Sequence, residues 1–285
     1  MKKIFEIIVK LLFPPKCIFC LSILDIQEKI DICHKCRKIL GYMGNKLYYV
    51  NKYFCKDLGT HKYFDRVFCV FEYSGIVKDA IIRYKYFGKA HYYKTFARLL
   101  AGILLNNKVK NILQNANQSN IKNSDDNCVN NVNHANNTNH IKNANINNAN
   151  ISNANVNSEN HENEFDMIIS VPLHKEREKE RGYNQACLVS KELSRIMKLP
   201  EISDILIRKK NTSPQSLLHG EERSDNIKNA FEVADINKVK GKKILLVDDV
   251  LTTGSTVNEC SRTLKKAGAV KVDIAVIAVA FVFEL

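Results

Sequence analysis

The chain has 285 residues, of which 45% are hydrophobic and 26% charged, and its formal net charge is +13. This length gives room for a sizeable core in one or two domains. No window approaches the roughly 18 consecutive apolar residues of a spanning helix, which excludes a transmembrane protein and predicts a soluble, cytoplasmic one.

The positive charge is concentrated in the first third of the chain. Residues 1–105 contain 19 Lys and Arg against 8 Asp and Glu, whereas residues 165–285 contain 20 against 17. Such a surface makes nucleic acid a candidate partner, although lysine-rich genomes give the same composition without one. Aromatic residues lie among these charges in "LYYVNKYF" and "RYKYFGKAHYYK". They either stack on the unpaired bases of single-stranded DNA or pack into the core.

Two C-x-x-C pairs stand near the start, Cys17 with Cys20 and Cys33 with Cys36, and twelve residues separate them. Four thiolates on two tight turns are typical of a tetrahedral structural zinc site. Disulfides are the weaker alternative in a cytoplasmic protein, and a redox pair would not need to occur twice. We therefore predict a zinc-binding module over residues 1–65 that gains its fold from the metal.

Residues 106–164 differ in composition from the rest of the chain. They include 24 Asn among 59 residues and contain the near-repeat "NANINNANISNANVN". Such a tract cannot bury enough apolar surface to offset the entropy of ordering it. We predict a disordered insertion within one domain, because segments typical of sheets lie on both sides.

The segment "IISVPLHKEREKERGYNQA" begins with an apolar strand at residues 167–171 and continues into a cationic cluster that includes Lys175 and Arg177. Cations at the carboxyl end of a strand could neutralise a diphosphate group. The alternative is an exposed helix turn of mixed charge. Gly182 after Arg181 favours a mobile loop, and apolar residues at helical spacing predict a helix from Gln185 onwards.

The segment "ILLVDDVLTTGST" joins an unbroken apolar strand at residues 244–247 to two adjacent carboxylates, Asp248 and Asp249. Ligands of parallel α/β sheets bind at this end of the strands, and adjacent carboxylates repel each other unless a cation or sugar hydroxyls compensate them. The small residues that follow form a phosphate-binding turn before a helix, and this turn consists of Thr252, Thr253, Gly254, Ser255 and Thr256. Thr256 with Glu259 is a capping-box pattern. The chain lacks the G-x-x-x-x-G-K-[ST] loop of a nucleotide triphosphatase.

"LLVDDVLTTGST" closely resembles the 5-phosphoribosyl 1-diphosphate (PRPP) motif of type I phosphoribosyltransferases. Together with the four cysteines, it makes the chain similar to the ComF family. Further segments resemble that family, namely "FEYSGIVKDAIIRYKYFGKA", the R-G-x-N-Q element at residues 181–185 and the series Gln215, Leu218, Arg223, Asn226 and Phe231. The resemblance implies that Asp248 and Asp249 hold the ribose hydroxyls and that the turn at 252–256 wraps the 5-phosphate. Arg181 and Lys175 are then expected on the diphosphate side, and a border of the PRPP pocket is the alternative to DNA binding for residues 83–89.

These features predict an α/β fold with a type I phosphoribosyltransferase-like parallel sheet flanked by helices, over residues 66–285, and a small N-terminal zinc module with four cysteine ligands. The resemblance implies that the protein binds PRPP with Mg²⁺ and serves DNA uptake or purine-type phosphoribosyl metabolism, with single-stranded DNA or DNA-uptake proteins as candidate partners. The alternative is a non-catalytic, nucleic-acid-associated adaptor that keeps the fold as a sensor or scaffold. No motif indicates the acceptor substrate or the oligomeric state.

Overall fold

A computed structural model describes residues 14–25, 30–40, 61–105, 164–210 and 227–280. All these ranges belong to one compact unit, which is built from chain on both sides of residues 109–163. The predictions for the Asn-rich tract and for residues 41–60 lie outside the described residues.

The described strands form one parallel sheet and one small antiparallel pair. The strands are β1 (Val67–Glu72), β2 (Met167–Ser170), β3 (Leu206–Arg208), β4 (Phe231–Val233), β5 (Lys243–Leu251) and β6 (Lys271–Val279). The sheet has the order β1-β6-β5-β2 with every neighbour parallel, and β3 pairs with β4. Because all four sheet strands run the same way, their carboxyl ends meet at one edge.

The helices of the described ranges follow the apolar spacing of the sequence. They are α1 (His34–Ile39), α2 (Gly75–Tyr86), α3 (residues 93–105), α4 (Lys175–Arg181), α5 (Gln185–Met197), α6 (Ile236–Val239) and α7 (Ser255–Lys266), with short 3₁₀ turns at Ala90–Tyr92 and Ser203–Ile205. The helix predicted from Gln185 onwards is confirmed, and Ala186, Val189 and Leu193 lie on its buried face.

Two apolar layers cover the two faces of the parallel sheet. Leu245 and Val247 pack with residues of α2, α3 and α5, whereas Ile244 and Leu246 pack with residues of α7 and the β3–β4 pair. All four of these β5 side chains are fully buried, because successive residues of a strand point to opposite faces and both faces are covered. The predicted fold, a parallel sheet flanked by helices, is confirmed.

The N-terminal cysteine segment shares the core of the sheet. The Phe19 ring lies 5.6 Å from the ring of Phe71 on β1 and 6.5 Å from that of Phe96 on α3. Arg83 Nη2 donates hydrogen bonds to the carbonyl oxygens of Ile18 and Phe19, at 2.9 and 2.7 Å. The segment is therefore tied to the sheet by packing and by hydrogen bonds, and the boundary at residue 65 stays a prediction.

Among the described residues, none of the helices combines the length and the apolar character that crossing a membrane requires.

Candidate functional site at the carboxyl edge of the sheet

Asp248 and Asp249 lie within β5, which runs on to Leu251. On one side the strand stays paired with β6 up to Leu251. On the other side β2 ends opposite Val247, so the edge next to β2 opens at Asp248. The strand end expected after residue 247 is therefore correct only for the β2 side, since β6 is long enough to continue the pairing.

The two carboxylates are sheltered and close to each other. The Asp249 N–H donates to Asp248 Oδ1 at 2.8 Å. Burial, with the neighbouring charge of Asp249, raises the pKa of Asp248 to about 7. A protonated or cation-compensated carboxyl is therefore favoured at this position.

The compensating cation for Asp249 is Lys85, at the end of α2. Its Nζ lies 2.8 Å from Asp249 Oδ1. Burial opposes the charge of Lys85, but the attraction of Asp249 outweighs it, and the pKa of Lys85 is raised. In the sequence Lys85 stands within the segment "FEYSGIVKDAIIRYKYFGKA", which resembles the family pattern, and no local pattern pairs it with the two aspartates.

The end of α2 is also joined to the R-G-x-N-Q element. Tyr84 Oη donates to the carbonyl oxygen of Gln185 at 2.8 Å, and Gln185 Nε2 donates to the carbonyl oxygen of Lys85 at 3.4 Å. Arg181 donates to Gln185 Oε1 at 3.1 Å and to Tyr86 Oη at 3.2 Å. The structure thus brings two segments that resemble the family pattern together beside Asp249.

The cationic segment before Gly182 is a short helix, α4, and not the expected loop. The His174 ring nitrogen accepts from the N–H of Glu176 at its start, and Gly182 ends it with a left-handed φ of 78°, a conformation that glycine adopts at little cost. The exposed-helix alternative is correct for Lys175, whose side chain is exposed. Arg181, at the other end of α4, is partly buried and faces Tyr86 and Gln185.

The phosphate-binding turn was predicted over residues 252–256, but the helix α7 already includes the last two of these residues. Gly254, with φ of 80°, is the N-cap, and α7 begins at Ser255, so Ser255 and Thr256 lie in the first helical turn while Thr252 and Thr253 form the turn itself. Thr253 Oγ1 lies 3.1 Å from Ser255 Oγ. The first N–H groups of a helix have no acceptor within the helix and carry partial positive charge. Hydroxyls and the positive helix end therefore meet just after the carboxylates.

The expected capping box between Thr256 and Glu259 is wrong. Glu259 accepts from the N–H of Asn229 at 2.7 Å and forms an ion pair with Arg262. The N-cap of α7 is Gly254, with a left-handed φ, so Thr256 already lies inside the helix and cannot cap it.

Arg208 on β3 is a charged residue of this edge that the sequence reasoning missed. Burial and the positive charge of Arg177 lower the pKa of Arg208, while Asp248 attracts it. Its guanidinium also lies 5.6 Å from the centre of the Phe231 ring on β4. No local pattern marks this arginine, because it reaches the site only when the β3–β4 pair packs over the sheet.

The four predicted zinc ligands are clustered. The Sγ atoms of Cys17, Cys20, Cys33 and Cys36 all lie within 4.8 Å of one another, and those of Cys20 and Cys33 are 3.6 Å apart. A hydrogen bond from the Ser22 side chain lowers the pKa of Cys20 to about 6, whereas burial raises the pKa of Cys17. Two sulfur donors lie on the turn at residues 17–20 and two at the start of α1. Such a set fits a tetrahedral, thiolate-binding metal, so the cluster could bind a structural metal.

The aromatic residues near the end of α2 were expected either to stack on unpaired bases or to pack into the core. Tyr84 and Tyr92 are buried in the core, whereas Tyr86 and Phe87 are exposed. The stretch "LYYVNKYF" and the series from Gln215 to Asn226 lie outside the described residues, and of that series only Phe231 is described, on β4.

Part of the chain is similar to known proteins. The model of the Phosphoribosyl transferase domain matches residues 184–280. "Competence protein F" of Haemophilus influenzae is 44% identical over 110 residues, 38% of this chain and 48% of the relative. "DNA utilization protein YhgH" of Escherichia coli K12 is 39% identical over 109 residues, 38% of this chain and 47% of the relative. The matched part therefore spans about half the length of these relatives.

Among solved structures, a glutamine phosphoribosylpyrophosphate amidotransferase from B. subtilis, complexed with ADP and GMP, covers 39% of this chain and 22% of its own. It is 18% identical, with a TM-score of 0.28. This likeness is too weak to support a statement about ligand or activity.

Proposed function

We propose that this chain is a phosphoribosyltransferase-like protein of the ComF family and that it binds PRPP together with Mg²⁺. One observation carries the proposal. The carboxylates of Asp248 and Asp249 lie at the open carboxyl edge of the sheet, and the hydroxyl-rich turn begins at Thr252, three residues after Asp249, and leads into α7 at Ser255. Sugar hydroxyls and a phosphate, held a few bonds apart in one ligand, match that order of acceptors and donors.

In this proposal each group of the site meets one part of the ligand. Asp248 and Asp249 accept hydrogen bonds from the ribose hydroxyls, and their oxygens are donors of the kind that Mg²⁺ prefers. The turn at residues 252–256 binds the 5-phosphate through hydroxyls and helix N–H groups. Arg181, with Lys175 at the other end of α4, offsets the negative charge of the diphosphate.

We further propose phosphoribosyl transfer as the reaction. A nitrogen nucleophile forms a bond to the anomeric carbon, the bond from that carbon to the diphosphate oxygen breaks, and the diphosphate leaves with the electron pair. Bound Mg²⁺ would supply positive charge at the diphosphate. The side chains of the site mainly position the ligand and stabilise charge.

The experiment is a calorimetric titration of the full chain with PRPP and Mg²⁺, followed by a screen of nucleobases for diphosphate release. The double variant Asp248→Asn with Asp249→Asn should lose PRPP binding and keep its circular dichroism spectrum. Asp204→Asn is a matched control, because Asp204 is exposed on a 3₁₀ turn. No heat of binding with the unmodified protein at millimolar PRPP would refute the proposal.

Zinc is the metal that we propose for the cysteine cluster, since four thiolates at tetrahedral spacing suit it. Its role is structural, because four cysteine ligands leave the metal no open position and the segment packs against the sheet through Phe19 and Arg83. Metal analysis should find one zinc per chain.

A nucleic-acid role is the second candidate, favoured by the basic first third of the chain and by the relatives' names, "Competence protein F" and "DNA utilization protein YhgH". Single-stranded DNA should bind with an affinity that falls steeply with salt, because phosphate neutralisation releases counterions. Reversing the charges of Lys46, Lys52, Lys56 and Lys62 should abolish DNA binding and leave PRPP binding intact. DNA affinity that does not change with salt would exclude this role.

A further inference from the structure

The Lys85 ammonium already stands where a cation would approach Asp249. Its Nζ is 2.8 Å from Asp249 Oδ1, and only 16% of the Lys85 side chain and 12% of the Asp249 side chain are exposed. Salt screens such a sheltered pair much less than a surface pair. Removing the ammonium from Asp249 without another partner would leave a buried charge uncompensated, which is costly.

The backbone of Lys85 is held in place by the neighbouring element. Gln185 Nε2 donates to the carbonyl oxygen of Lys85 at 3.4 Å, and Tyr183 Oη donates to the carbonyl oxygen of Tyr84. Tyr84 is fully buried and donates back to Gln185. Hydrogen bonds therefore hold the end of α2, and the Lys85 side chain is the part that can carry the ammonium away from Asp249.

The two cations and the two carboxylates of this site together determine whether a metal ion or an anion can bind next to Asp249. Lys85 and Arg208 both act on the carboxylate pair. A free divalent cation at Asp249 would have to displace the ammonium and would meet its repulsion. A diphosphate group brings negative charge that can accept the displaced ammonium, so the cation and the anion favour each other's entry.

We propose that Lys85 makes the binding of a divalent cation at Asp249 conditional on a bound diphosphate group. In the free protein Lys85 fills the cation position, and the arriving anion releases it. This inference rests on the proposed function, since the diphosphate and the cation are those of PRPP with Mg²⁺. It assigns Lys85 the role of a specificity-determining residue that excludes the bare metal ion.

The test measures Mn²⁺ binding to the full, zinc-loaded chain through the relaxation of water protons, which is enhanced by Mn²⁺ bound to a macromolecule. The variants are Lys85→Met, which removes the charge at similar length, and Lys85→Arg, which keeps it. Asp249→Asn shows which part of the signal belongs to this site. Without any anion, we expect Lys85→Met to bind Mn²⁺ at least tenfold more tightly than the unmodified protein, whereas Lys85→Arg should bind as weakly as the unmodified protein.

A second measurement uses the unmodified protein and so does not depend on the folding of a variant. Inorganic diphosphate should tighten Mn²⁺ binding at least tenfold, and Asp249→Asn should lose this effect. Equal Mn²⁺ affinity with and without diphosphate, or no gain in folded Lys85→Met, would overturn the inference. If diphosphate acts as expected but PRPP does not bind, the proposed function fails and the role of Lys85 stands.

Discussion

The raised pKa of Asp248 predicts that this residue costs stability at the pH where the protein would work. Its pKa of about 7 lies above the ordinary value of 3.8. The folded state therefore holds a proton that the unfolded state releases between about pH 4 and pH 7, so stability falls as the pH rises through this window. Above pH 7 the full cost is present.

The magnitude follows from the same two values. Each pH unit between them corresponds to about 1.4 kcal/mol, so the upper bound is roughly 4 kcal/mol. Asp248 is only partly buried, and solvent screening reduces the cost to about 1 to 3 kcal/mol. Replacing Asp248 by Asn removes the charge and leaves an oxygen that can accept from the Asp249 N–H.

The assay is thermal unfolding of ligand-free Asp248→Asn and unmodified protein at pH 8 and at pH 5. We expect the variant to unfold roughly 3 to 10 °C higher at pH 8, with a gain at pH 5 of less than half of that. Asp204→Asn, a change at an exposed carboxylate, should shift stability by less than about 0.5 kcal/mol at either pH. A variant that is less stable than the unmodified protein at pH 8, or a gain that does not depend on pH, would refute the reasoning.

Three further predictions concern the N-terminal segment and the Asn-rich tract. Cys36→Ser should lower the zinc content from one equivalent towards zero, and retention of a full equivalent in metal analysis would contradict the site. Phe19→Ala should cost about 3 to 5 kcal/mol in urea unfolding, because this buried ring joins the cysteine segment to the sheet, whereas alanine at the exposed Leu21 should cost under about 1 kcal/mol. Replacing residues 108–162 by a flexible linker of roughly 12 residues should change stability by about 1 kcal/mol and leave PRPP binding intact; lost binding would show that the tract is structural.

Features that depend on neighbouring residues could be predicted from the sequence. The apolar run at residues 244–247 indicated a strand covered on both faces, and it is fully buried. The spacing of the C-x-x-C pairs indicated two turns that present sulfur to one point, and the four sulfurs are clustered. In each case the covalent chain itself limits the distance between the groups, so local geometry is enough.

Predictions at the ends of elements were less accurate, because tertiary partners compete for the same side chains. Thr256 and Glu259 have the spacing of a capping box, yet Glu259 is held by Asn229 and Arg262. The cationic residues before Gly182 are in a short helix and not in a loop. Such choices differ by the energy of one or two hydrogen bonds, which distant residues can supply.

The sequence by itself therefore determined the sheet strand, the paired carboxylates and the cysteine cluster, each from residues that are close in the chain. Only the tertiary structure decided which charges meet those carboxylates. The strand order β1-β6-β5-β2 and the apolar layer that α2 shares with β5 bring Lys85 to Asp249, and the β3–β4 pair brings Arg208 towards Asp248. The periodicity of apolar residues indicates which face of a segment is buried, but not which other segment packs against that face. An ion pair between distant residues depends on which segments pack together.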